Sequence, residues 1–374
     1  MMQENRDADA LKNFEEALAN CEKLVAEGNS EDKRLKALRI SVRFNLACCH
    51  DKARRIGEAS EILKSIIKEE PSYTDAYMRL AYLAQRRGDI KRAIEYIEQG
   101  KVNHLKDTNH SLPTKLYCMK GRLLTDVGNL HEAYKEYQKA LELSNKRDSY
   151  ARVGIANIHY LTSTFHRNNI EAQEAELRKS MQQYFSVLEL DEMNTAGCLG
   201  VANVLSEYGK VTEAKEIFKV IETSETDPTI VKHALLNHAH LLMNDENNEY
   251  AINLYQAAHE KFPEDVTITL YLAKAHFKRK NYAECQEMTT RLLMQHPNDF
   301  RLKFNLALCL YNRANEIFSL TIRRVKQTEQ AIRDFNVAKS LLTQFIALQQ
   351  RTGGQPSTYL MPTATSRDEL QLAN

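Results

Sequence analysis

Small residues recur along the chain in pairs, and bulky apolar residues flank each pair at the spacing of a helix face. The first members are Ala47, Ala81, Gly121, Gly154, Ala202, Ala239, Ala273 and Ala307; the second are Ala59, Ala93, Ala133, Ser180, Ala214, Ala251, Cys285 and Ala331. Immediately before the first member stands Leu46, Leu80, Val201, Leu272 or Leu306. Four residues after the second stands Tyr137, Tyr184, Phe218, Tyr255 or Phe335, with Leu63 and Ile97 as aliphatic counterparts and Thr289 as the exception. Side chains four apart share one face of a helix, so each unit predicts a pair of amphipathic helices. Two antiparallel helices joined by a short turn come closest where small residues meet. The pattern therefore predicts eight helical hairpins and no sheet.

The period of the units points to a repeat class. Pro263 and Pro297 are 34 residues apart and Pro228 lies 35 before Pro263; thirty-four residues is the tetratricopeptide period. In that numbering the small residues occupy positions 8 and 20, and the bulky one position 24. Pro71, Pro263 and Pro297 end second helices, because a proline ring clashes with the preceding turn. Gly88, Gly128 and Gly209 fall between the two helices, and Tyr77, Tyr117 and Tyr150 stand where the consensus has tryptophan. The expected fold is all-α, a right-handed tetratricopeptide superhelix (α-solenoid) of eight hairpins. Two of them are elongated. In the fourth, the surplus lies in TSTFHRNNIEAQEAEL, with a turn expected at His166 to Asn169; in the eighth, 24 residues separate positions that are normally 12 apart. The linker KVNHLKDTNHSLPT also carries about six extra residues.

The two ends differ from the array. Ala10, Phe14 and Ala17 match positions 20, 24 and 27, the signature of a second helix without its first. The division expected is residues 1–28 as that orphan helix, 36–349 as the superhelix, and 350–374 as a mobile tail. Either the chain is a piece of a longer scaffold or the orphan is a degenerate cap, and Leu11, Phe14 and Leu18 call for cover. Twelve glycines and seven prolines make up about 5% of the chain, under half of ordinary usage, which agrees with dominant helices. Lys and Arg number 51 against 50 Asp and Glu, a balance that argues against nucleic-acid binding over the whole surface. There is no run of 18 apolar residues and the first residues are polar, so neither a membrane span nor a secretory signal is expected. Seven cysteines without paired spacing fit a reducing compartment.

Catalytic motifs are missing: there is no HExxH, GxSxG, phosphate loop or GxGxxG, and no cofactor or metal is expected. His233, His238 and His240 cluster, but His238 falls at a core-facing position, and packed histidines are the simpler reading. Lys278, Arg279 and Lys280 form a basic knob at a hairpin turn, readable as solvated charge or as a nucleic-acid contact. Binding is what such an array offers, through positions 2, 6 and 9 of each first helix. These are Lys115, His233 and Arg301 at position 2; Asn45, Arg79, Asn237 and Asn305 at position 6; and Tyr82, Arg122, Asn203, His240 and Lys274 at position 9. Asparagine can clamp a peptide backbone with one donor and one acceptor group. The chaperone-binding clamp is not assembled, since repeats one to three offer Ser41/Asn45, Asp75/Arg79 and Lys115/Met119.

Beyond the repeat, several stretches resemble one family. These are FNLA from Phe44, DAYMRLAYLAQRRGDIKRA from Asp75, GIANIHYLTSTFHR from Gly154, LGVANVLSEYGKVTEAKEIFKVI from Leu199, ALLNHAHLLM from Ala234, TLYLAKAHFKRKNYAECQ from Thr269 and FNLALCLYNRANEIF from Phe304. Together with the places of the two elongated hairpins, they resemble the large scaffold subunit of the RNA polymerase-associated factor (PAF) complex, the cln-three-requiring-nine family. That resemblance runs through most of residues 10–349. It implies a nuclear, non-catalytic scaffold that holds other PAF subunits as extended polypeptides against elongating RNA polymerase II, touching the polymerase directly or through them, and that supports histone modification. The family's N-terminal repeats and charged C-terminal region have no counterpart in this chain. A transport or ubiquitin-ligase adaptor would share every repeat feature and is the alternative.

Overall fold

The computed structural model describes residues 2–26, 32–107, 113–244, 248–322 and 324–351. It divides into two compact units, Met1–Val204 and Leu205–Asn374, with the boundary inside one helix. The expected tail falls almost wholly outside the described residues. Among those residues every regular element is helical.

The first unit opens with α1 (Met2–Leu24), which packs along α2 (Lys33–Lys52) and leaves Leu11, Phe14 and Leu18 half-buried. Antiparallel hairpins follow: α2 with α3 (Ile56–Glu69), α4 (Thr74–Arg86) with α5 (Ile90–Asp107), α6 (Thr114–Asp126) with α7 (Leu130–Leu143), and α8 (Ser149–Phe165) with α9 (Ile170–Leu188). Each second helix packs on the next first helix, α3 on α4, α5 on α6 and α7 on α8. The unit boundary lies within α10 (Thr195–Glu207). In the second unit, α11 (Val211–Ser224) packs on α12 (Pro228–Asn244). Three hairpins complete it, α12 with α13 (Asn248–Lys261), α14 (Val266–Lys278) with α15 (Tyr282–Gln295), and α16 (Phe300–Ser319) with α17 (Val325–Arg351).

All sixteen small residues at positions 8 and 20 are buried. The steric reason is clearest around Tyr137 in α7. A Cβ at Gly121 would lie 2.9 Å from its ring, and one at Gly154 would be nearer still, so a single tyrosine fills the space left by glycines on the helices before and after it. Gly200 in α10 stands in the same relation to Tyr184 of α9. Helix starts are capped by side chains: Asp148 Oδ1 accepts from the Ala151 amide at 2.9 Å, Asn169 Oδ1 from Ala172 at 3.1 Å and Asp265 Oδ1 from Thr267 at 2.9 Å. In the turns, Gly88, Gly128 and Gly209 take φ of 79°, 79° and 71°, the left-handed conformation that ends a helix. Arg54 and Lys280 occupy the corresponding place in the first and seventh repeats at 61° and 62°, where a Cβ is crowded.

The surplus residues mainly lengthen helices. α8 and α9 run to 17 and 19 residues and turn back through His166 to Asn169, with Phe165 and Ile170 exposed at the tip. α16 and α17 reach 20 and 27 residues. Much of the linker after the second repeat is helical too, since α5 continues to Asp107.

Candidate partner-binding surface

In the first unit the groove positions are Asn45, Arg79, Tyr82, Lys115, Arg122 and Asn203. Asn45, Tyr82, Lys115 and Arg122 are exposed, whereas Arg79 and Asn203 are half-buried. Arg79 is engaged inside the fold. Asp51, in the last turn of α2 and only 3% exposed, accepts from Arg79 Nη2 at 2.5 Å and also from Arg86 Nη1. Arg79, Tyr82 and Arg86 are spaced three and four apart, so they stand on one face of α4. The guanidinium carbons lie 5.1 and 5.7 Å from the Tyr82 ring centroid, within cation–π range on both counts. One buried carboxylate thus fixes two cations, and the two cations fix an exposed aromatic ring. The set retains one net positive charge.

The adjacent first helix continues this surface. Arg122 holds position 9 of α6 as Tyr82 does of α4, and the two helices touch. Gln85 Nε2 donates to Asp126 Oδ2 at 2.6 Å about one turn further along, which locks their register. Asp51 and Arg86 were not among the sequence candidates. A signal existed: Asp51 is four residues after Ala47 and so shares its buried face, where an acid requires a cation.

In the second unit, His233 and Arg301 are exposed, while Asn237, His240, Lys274 and Asn305 are half-buried. Arg301 folds back on the capping Asp299, with Nη2 at 3.3 Å from Oδ2. His240 bonds through Nδ1 to the Tyr255 hydroxyl and meets Tyr271 edge-on, with centroids 4.4 Å apart. Burial first, and the Lys274 charge second, push its pKa down to about 4, so the ring is neutral at physiological pH. It is part of a packed aromatic layer rather than an open contact. His238 is wholly buried, its Nδ1 2.8 Å from Glu222 Oε1 and its ring stacked on Phe218. Among the described residues no three His, Cys, Asp or Glu side chains are grouped to hold a metal ion, and no helix is long and apolar enough to cross a membrane.

Comparison with known proteins agrees with the repeat register. Tetratricopeptide repeat models match residues 44–103, 114–147 and 242–309. The chain is 27% identical over 314 residues to the RNA polymerase-associated protein CTR9 of Caenorhabditis elegans, which covers 81% of this chain and 26% of the relative. It is 24% identical over 316 residues to the CTR9 homolog of Arabidopsis thaliana, covering 83% and 28%. The chain therefore spans about a quarter of the length of these relatives. Among solved structures, a tetratricopeptide repeat protein from Parabacteroides merdae superposes with a TM-score of 0.51 at 16% identity, over 72% of this chain and 98% of that one. Human IFIT1, solved as a dimer with m7Gppp-AAAA, also gives 0.51 at 16% identity, over 88% and 68%. These two likenesses establish the fold alone. The chain has the tetratricopeptide-repeat fold, carries matches to tetratricopeptide models at three places, and is similar over about four fifths of its length to CTR9 proteins.

Proposed function

We propose that the chain is a non-catalytic, nuclear scaffold segment of the PAF complex that binds other subunits of that complex as extended polypeptides. Through them, or by direct contact, it bears on RNA polymerase II and supports elongation and the associated histone modification. The observation that carries this reading is the similarity to CTR9 proteins, which extends over about four fifths of the chain rather than one repeat. The exposed polar positions of the first helices, Asn45, Tyr82, Lys115 and Arg122 in one unit and His233 and Arg301 in the other, are the proposed contact points. Asn203, Asn237, Lys274 and Asn305 flank them. Arg79 contributes by holding Tyr82.

The test is affinity purification of the tagged chain from nuclear extract, with the bound proteins identified by mass spectrometry. Recovery of the remaining PAF subunits in near-equal amounts is expected. Recovery of transport or ubiquitin-ligase components without PAF subunits would assign the chain to a different assembly.

A further inference from the structure

The faces of α4 and α6 bring an exposed aromatic ring together with a group of arginines. Tyr82 is 38% exposed, yet its ring is confined by Arg79 and Arg86, whose positions are set in turn by the buried Asp51 carboxylate. A rigid exposed tyrosine beside arginines has the composition of an interface hot spot, because little side-chain entropy remains to be lost on binding. The charge around it is unbalanced. Asp51 offsets one of its two arginines, Arg122 follows at the same register on α6, and Lys115 stands two turns before Arg122 on the same helix. Asp75, four residues before Arg79 on α4, and Asp126, which accepts from the neutral Gln85, are the acids of these two faces, so that with Asp51 three carboxylates stand against the four cations Arg79, Arg86, Lys115 and Arg122. An extended polypeptide crossing successive first helices would therefore meet a strip with a small excess of positive charge and an aromatic platform in it.

We infer that the first unit binds an acidic extended segment of its partner, with a carboxylate against Arg122 and Arg86 and an aromatic or aliphatic side chain against the Tyr82 ring. This rests on the reading of the first-helix faces as protein-binding surfaces and adds the chemistry of the occupant. Carboxylates pair well with planar guanidinium donors, and guanidiniums already fixed in place pay less to make such bonds. The strip selects against basic segments by the same charges.

The experiment uses the full chain and fluorescein-labelled polypeptides followed by fluorescence anisotropy. The probe is a random copolymer of glutamate and tyrosine; polylysine and a single-stranded poly-U RNA are the comparisons. Saturable binding of the glutamate–tyrosine probe is expected, weakening at least tenfold between 50 and 300 mM NaCl. Arg122→Glu should weaken it about tenfold and Tyr82→Ala about fivefold, with helicity by circular dichroism unchanged because both side chains are exposed. Tyr82→Phe should retain most of the affinity, since the ring and not the hydroxyl is the contact. Charge reversal of Lys278, Arg279 and Lys280 should leave binding intact. Absence of saturable binding, insensitivity to Arg122→Glu and Tyr82→Ala, or loss of binding only with the Lys278–Lys280 reversal would each overturn the inference. So would poly-U displacing the acidic probe in a manner abolished by the same two variants, which would make the strip a nucleic-acid surface. Failure here leaves recovery of PAF subunits from extract untouched, and failure of that recovery leaves the acidic-probe result standing, so the two are separable.

Discussion

Glu136→Met should destabilise the first unit by about 3 kcal/mol, because it strands a buried ammonium group. Lys101 on α5 and Glu136 on α7 are 7% and 6% exposed. Lys101 Nζ lies 2.7 Å from Glu136 Oε2 and 3.4 Å from Glu98 Oε1, while Lys120 Nζ on α6 lies 2.7 Å from Glu136 Oε1 and 2.8 Å from Glu98 Oε1. Two cations and two anions alternate, with the Tyr117 ring centroid 4.2 Å from the Lys101 ammonium. Breaking a buried pair by removing one partner costs about 3–5 kcal/mol, and the solvent-facing Glu98 recovers a part of that for Lys101. The lower end follows. Lys101→Met combined with Glu136→Met deletes both buried charges and should come within about 1 kcal/mol of the parent, since an apolar pair of similar volume replaces a desolvated ion pair at little net cost. Lys120 is partly hydrated and keeps Glu98. Urea unfolding followed by circular dichroism gives the totals, and hydrogen exchange should localise the single variant's loss to α5–α7, as expected where repeats interact mainly with neighbours. A loss below about 1 kcal/mol for Glu136→Met, or an equal loss in the double variant, would refute the reasoning.

Three further outcomes are expected. Lys280→Gly relieves a left-handed residue in the α14–α15 turn and should stabilise the second unit by about 1 kcal/mol, read as a higher urea midpoint; Lys→Ala at the same place should not. Because His240 is held neutral down to about pH 4 while an unfolded histidine protonates near 6.5, the unfolded chain binds more protons between those values, and the second unit should lose about 3 kcal/mol as pH falls from 6.5 to 4. Unfolding of the parent and of His240→Asn across that range checks it, the variant showing the shallower slope. Replacing residues 164–175 with a short Gly–Asn turn should cost under about 1 kcal/mol, because the tip is largely exposed; the cut stops short of Ser163, which is buried, and of Glu176, whose Oε2 is 2.6 Å from His159 Nδ1.

The hairpins were legible because their cause is steric and local: a small residue at positions 8 and 20 is required wherever two helices approach, so the sequence displays it in every repeat. The lengths of α8, α9, α16 and α17 were legible for the same reason, as added residues between invariant anchors. The need for Gly200 is not visible within one repeat, because the ring that requires it, Tyr184, stands at position 24 of the preceding repeat and reaches across to the next first helix. Position alone also misjudged chemistry within the proposed surface. Arg79 and His240 occupy groove positions, yet Asp51 draws the first into the fold and Tyr255 with Tyr271 encloses the second. Register says which face a side chain starts on, whereas its partners decide whether it stays available.

The central claim is that this segment joins other PAF subunits through the faces of its first helices. Its most direct measurement is reconstitution: the purified chain is mixed with the purified remaining PAF subunits, and the complex is resolved by size-exclusion chromatography coupled to light scattering. The account predicts stoichiometric co-elution, reduced by Tyr82→Ala combined with Arg122→Glu while each protein remains folded. Separate elution of the parent chain at micromolar concentration would contradict membership, and co-elution indifferent to the two substitutions would contradict the surface.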